Sequence, residues 1–140
     1  MSDLSLFFAS NVEKMSEESV IVSDRFKDKE GKPVPWKIRM ITESENEEIR
    51  KSATKYTKGK NGARVPEYNQ EAYVGKLIAE SVVFPDLKNA ELQKSYNVMG
   101  AENLAKRMLL PGEYAKLVEK IQTINGFDAD INETVEEIKN

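Results

Sequence analysis

The stretch "VPWKIRMITESENEEIRK" changes its hydrophobic period halfway along, and that change sets the fold class. Val34, Trp36, Ile38 and Met40 fall on one face, with Lys37 and Arg39 on the other. A period of two is the signature of a strand with one buried side. Upstream, "SVIVSDRF" does the same with Val20, Val22 and Phe26. Between the two lies "KDKEGKP", in which Gly31 is free to take a positive φ and Pro33 is barred from a central ladder. These signals predict a β-hairpin over about residues 19–41. Two strands alone are marginal in water, so helices must cover their apolar face. The expected class is therefore α+β: an N-terminal β-hairpin packed against a small bundle of five or six helices. Trp36 is expected to be buried beneath the helices at 68–84 or 111–125.

From Thr42 onward the period becomes helical. Thr42 and Glu45 form a capping-box pair, in which each side chain satisfies the other residue's free backbone N–H. Acids (Glu43, Glu45, Glu47, Glu48) precede bases (Arg50, Lys51, Lys55), an order that suits the helix dipole. The apolar stripe of Ile49, Ala53 and Tyr56 is thin, so this helix lies on the surface. "TKGKNGARVPE", 57–67, reads as a solvated linker. Its glycines and bases invite a phosphate-loop reading, but no glycine is followed by Lys-Ser/Thr. "YNQEAYVGKLIAESVVF", 68–84, carries a wide stripe of Tyr73, Val74, Leu77, Ile78 and Val82, and is expected to be the central helix, ending before Pro85. Asn89 caps a short helix, and "AENLAKRMLL" turns Leu104, Met108 and Leu109 inward. In the next helix Pro111 suits the first position and Gly126 the position past the end, with Tyr114, Leu117, Val118, Ile121 and Ile124 as its stripe. Residues 1–127 are expected to form one globular domain. Residues 128–140 are expected to form an acidic amphipathic helix, with Ile131, Val135 and Ile138 in one stripe. At the other end, "DLSLFFASN" suggests one or two helical turns with Leu4, Phe7 and Phe8 on one side and Ser2 as N-cap. Phe7 and Phe8 are expected either to dock on the core or to serve an arm that packs on a partner.

Composition narrows the chemistry. The chain has no cysteine and no histidine, so disulfides and Cys- or His-based catalysis are out of reach, and a structural zinc site is not expected. No metal, cofactor or catalytic residue is assigned. The remaining carboxylates have structural roles to hand: the Glu43–Glu48 cluster as an ion-paired face, and Asp86 as the cap of a turn. A formal charge of −3 is a poor match to a general nucleic-acid binder. "LQKSYNVMGAENLAKRML" fits a helix-turn-helix only loosely, because Gly100 sits late. A small DNA-binding or adaptor protein is therefore the alternative reading. No apolar run approaches the ~20 residues of a membrane span. "MSDLSLFFASN" also lacks the features of a signal peptide, so a cytoplasmic protein is expected.

"WKIRMITESENEEIRK", "AESVVFPDLKNAELQKSYNVMGAENLAKRMLLPGEYAKL" and "INGFD" resemble the XkdN-like tail assembly chaperones of PBSX-type prophages and related contractile-tailed phages. The "SDRFKDKEGKPVPWKIR" hairpin is similar to that family too, and the pair "VVFPDLK" and "MLLPGEY" is its most specific part. The resemblance implies a non-enzymatic chaperone that holds the phage tape measure protein while the tail tube polymerises around it. It also leaves room for self-association and for contact with the tail tube protein. No nucleic acid and no membrane are expected as partners. The resemblance brings no binding residues with it. Candidate partner-binding residues come from the patterns above: Phe7 and Phe8 at one end, and Ile131, Val135 and Ile138 at the other.

Overall fold

Strand β1, Glu17–Val20, pairs antiparallel with β2, Trp36–Arg39, placing Val20 opposite Trp36 in a computed structural model that describes residues 3–127. The alternation has its expected effect: Val20, Val22, Trp36 and Ile38 are buried, while Lys37 faces solvent. Trp36 is 2% exposed, and its ring lies 6.1 Å from that of Phe26. The fold is α+β, with an N-terminal hairpin followed by helices.

Three further strands join this plan. Val82–Phe84 was expected to finish the central helix. That helix, α2, instead spans Gln70–Ser81, and Val82–Phe84 becomes β5, which pairs antiparallel with the far side of β2. Two β-branched residues before a proline leave the helical conformation readily, and a strand there covers an edge that β2 would otherwise expose. The order of the sheet is β1-β2-β5. The other two strands replace the expected linker. Helix α1, Glu43–Ser52, stops short of Tyr56, and β3, Thr54–Lys58, turns back into β4, Arg64–Tyr68. Their turn holds Asn61 at φ 66 and Gly62 at φ 76, a left-handed pair that Asn-Gly adopts readily.

The helices follow their caps. Thr42 and Glu45 form both halves of the capping box, Asn69 caps α2, and Asn89 caps α3, Ala90–Ser95. Helix α4 is Ala101–Met108, and α5 is Pro111–Ile124, with Pro111 first and Gly126 at φ 78 beyond its end. Helix α2 is central, touching α1, α4, α5 and β5, while α5 also lies against β2. Leu77, Ile78, Leu87, Leu104, Leu117 and Ile121 join Trp36 and Ile38 in one core. The N-cap proposed at Ser2 and the last helix proposed over 128–140 lie outside the described residues.

The residues after β1 are tied to the α4–α5 corner by one ion pair. Arg25 Nη2 donates to the Met108 carbonyl at 2.7 Å and to Glu113 Oε1 at 2.6 Å. Glu113 Oε1 also accepts the Leu110 N–H at 2.8 Å. The bond from Arg25, with support from Ser23 and the Leu110 amide, lowers the Glu113 carboxyl from an ordinary 4.5 to about 2. A carboxyl depressed by folding adds stability above its unfolded pKa and loses that contribution as pH falls through its folded one. The melting temperature is therefore expected to fall between pH 4.5 and about 2. Glu113→Gln should be less stable than the native chain at pH 6, and the gap should narrow as pH is lowered through that window. Parallel melting curves for the two proteins would retire this account of Glu113.

Candidate partner-binding surface

Glu43, Glu45, Glu47 and Asp86, four of the five carboxylates considered for catalysis, have structural partners. Glu45 Oε2 accepts from Arg39 Nη2 at 2.7 Å, and this bond, the largest of several causes, lowers its pKa. Glu47 pairs with Lys51 at 3.2 Å, and Glu43 with Arg50 at 3.8 Å. Asp86 Oδ1 accepts the Lys88 N–H at 3.1 Å, closing an Asx-turn directly after the cis Phe84–Pro85 bond. Leu87, one residue on, is 1% exposed and anchors this corner in the core, while Phe84 and Asp86 stay exposed. Among the described residues no cluster of acids has the arrangement of a metal site.

The helix-turn-helix stretch is also packed into the body. Gln93 braces it: Nε2 donates to the Leu87 carbonyl at 2.9 Å, while Oε1 accepts the Gly100 N–H at 3.0 Å. Leu104, Ala105 and Met108 turn α4 into the core, and Asn103 donates to its neighbour's carbonyl, that of Met99. Lys106 and Arg107 remain exposed.

Apart from single exposed side chains such as Met99 and Phe84, the exposed apolar residues cluster elsewhere. Asp3–Phe7 forms a 3-10 turn at the start of an arm that leads into β1. Its turns are closed locally: the N–H of Phe8 donates to the Ser5 carbonyl at 3.2 Å, and Asn11 Nδ2 donates to the same oxygen at 2.7 Å. Phe7 is 82% exposed and Phe8 53%, so they do not dock on the core, the first of the two expectations for them. Leu4 and Leu6 are exposed beside them, as are Val12 and Met15 further along. The sequence reading missed these last two and Leu6; Val12 and Met15 stand among polar residues and carry no periodic signal. Ile131, Val135 and Ile138, the other half of the proposed surface, lie outside the described residues.

Two more features line the surface. A groove of about 600 Å³ runs between the N-termini of α2 and α5 and the end of α4, floored by Val74, Leu109, Pro111 and Tyr114, with Lys106 and Glu71 at its rim. The β3–β4 hairpin stands out from the body, every side chain exposed except Thr54. Strand alternation puts Tyr56, Pro66 and Tyr68 on one of its faces with Lys58 and Arg64, and the Arg64 guanidinium lies over the Tyr56 ring at 4.7 Å.

Exposed apolar and basic surfaces on a braced α+β body are the means by which one small protein meets another. Residues 4–139 match the model of the phage XkdN-like tail assembly chaperone family. The chain belongs to that family. It is 36% identical to the protein YqbN of Bacillus subtilis strain 168 over 139 residues, which is 99% of this chain and 93% of YqbN. It is thus a relative of YqbN and not that protein. It is 32% identical to the phage-like element PBSX protein XkdN of the same strain, again over 99% of this chain and 94% of the relative. The crystal structure of YqbN superposes with a TM-score of 0.79 and 32% sequence identity, covering 91% of this chain and 99% of that one.

Proposed function

We propose that this tail assembly chaperone binds the tape measure protein in the host cytoplasm and keeps it from aggregating until tube subunits enclose it. Membership of the family supports the setting, and the exposed apolar arm carries the binding. A tape measure is a long, largely helical protein whose apolar stripes are uncovered before the tube forms, and exposed stripes of that kind aggregate. A holding protein needs apolar side chains presented in advance on a polar, well-folded body. Leu4, Phe7 and Phe8 meet that need, and Ile131, Val135 and Ile138 are proposed as a second contact. Self-association and contact with the tail tube protein are compatible with the same surfaces. The reading invokes no cofactor, catalytic step, nucleic acid or membrane. Among the described residues no helix is long and apolar enough to cross a membrane.

Capture of the tape measure protein of the same prophage, run in parallel with a DNA mobility shift at low salt, tests the proposal. Retention of the tape measure is expected, with DNA binding weak and indifferent to sequence. Tight, sequence-specific DNA binding without tape-measure capture would transfer the function to the exposed Lys106 and Arg107 of α4.

A further inference from the structure

The charge of this chain is unevenly placed. Residues 54–68 hold Lys55, Lys58, Lys60 and Arg64 against Glu67, a net +3 on a chain of −3. Arg50 and Lys51, in the last turn of α1, are already paired with Glu43 and Glu47, so the basic zone is that of the hairpin itself. The opposite charge is concentrated in residues 128–140, where Asp128, Asp130, Glu133, Glu136 and Glu137 stand against Lys139, a net −4. That segment also spaces Ile131, Val135 and Ile138 by four and three residues. The hairpin presents the apolar counterpart, Tyr56, Pro66 and Tyr68, on the same face as Lys58 and Arg64.

We infer that the β3–β4 hairpin is a docking surface for this chain's own acidic segment, residues 128–140, in the free protein. Ile131, Val135 and Ile138 meet Tyr56, Pro66 and Tyr68, and the flanking carboxylates meet Lys58 and Arg64. The path is short enough. Asn125, just past α5, accepts the Ile41 N–H through Oδ1 at 2.8 Å, so the chain leaves the body beside the start of α1. The hairpin begins at the other end of α1, a helix of 10 residues and so about 15 Å away. Thirteen residues reach about 20 Å as a helix and up to about 45 Å extended.

Magnitude selects the chain's own segment over that of a second copy. Exposed ion pairs are individually weak, and three apolar side chains on an open hairpin bury little area. A contact that small closes when a tether holds its partner at millimolar effective concentration, and stays open between copies at micromolar concentration. The consequence is a covered resting state: the apolar residues of the segment are masked by the hairpin until a partner helix with a longer stripe displaces them. The inference concerns the free chain and does not depend on which partner that is.

The absence of cysteine makes the test clean. In the full-length protein Pro66→Cys is combined with Val135→Cys, and Met99→Cys with Val135→Cys serves as the control, since Met99 is 86% exposed on the α3–α4 turn. Under a mild oxidant at micromolar protein and low salt, the first pair is expected to form a disulfide at monomer mass at least ten times faster than the control. The rate should fall about five-fold or more in 1 M salt, where the Debye length is about 3 Å, and on adding Lys58→Gln and Arg64→Gln. Trp36 emission checks that each variant is folded. Equal rates for the two pairs, a rate indifferent to salt and to the hairpin charges, or a product mainly at dimer mass would each overturn the inference.

Discussion

Trp36→Ala is expected to cost about 3–5 kcal/mol of folding stability, the usual cost of truncating a buried aromatic side chain. A domain of this size has only about 5–15 kcal/mol to lose, so the variant should be partly unfolded near 40 °C. The reason is the position of Trp36. It pairs with Val20 across β1, its neighbour Lys37 pairs with Phe84 of β5, and the ring packs beside Phe26 in the core formed with the helices. Removing it opens a cavity where hairpin, third strand and helical layer meet. Because the chain has a single tryptophan, the loss must be followed by circular dichroism in a urea titration, not by fluorescence. Trp36→Phe keeps an aromatic ring there and should cost clearly less. An unfolding free energy for Trp36→Ala within about 1 kcal/mol of that of the native chain would mean that the hairpin is dispensable to the body's stability.

What could be read in advance was whatever the buried side of an element imposes on its sequence. The alternation through Trp36 and Ile38 located β2, and the stripe from Tyr114 to Ile124 located α5, because each element buries one face and leaves the other wet. Three helix starts were equally legible: Thr42, Asn89 and Pro111 each solve the problem of free backbone donors there, whereas Asn69, the cap of α2, is passed over when the helix is started at Tyr68. The β3–β4 hairpin escaped because it buries almost nothing. With both faces exposed, "TKYTK" and "RVPEY" carry no buried stripe to mark them, so Lys55 and Tyr56 read as part of the helix before them and 57–67 as a linker. The missed signal was Asn61-Gly62, whose paired positive φ angles close a tight turn. Strand β5 escaped for the opposite reason. Val82, Val83 and Phe84 extend an apolar stripe, and a short apolar run reads equally well as helix or strand. The arm was left open between docking on the core and packing on a partner. Phenylalanines signal burial, but a sequence does not say whose core will bury them.

That last point yields the largest functional effect expected of this chain. Replacing Leu4, Phe7 and Phe8 together with serine should leave the melting temperature nearly unchanged, since surface substitutions away from special features usually fall within ±0.5 kcal/mol. All three side chains are exposed, and none belongs to the core. Partner capture should fall steeply. Fully burying one such side chain is worth about 1.5–3 kcal/mol, so three half-buried in a complex contribute roughly 2–4 kcal/mol. That is a loss of about 30- to several-hundred-fold in affinity. The same exchange at Ile131, Val135 and Ile138 separates the two ends of the chain. If those residues form a second contact, capture weakens while the body still unfolds cooperatively. If instead the melting temperature drops sharply and capture is kept, they belong to the core. Should the arm variant capture the tape measure as well as the native chain does, the exposed phenylalanines are not the holding surface. The groove floored by Val74, Leu109 and Tyr114 would then be the next place to substitute.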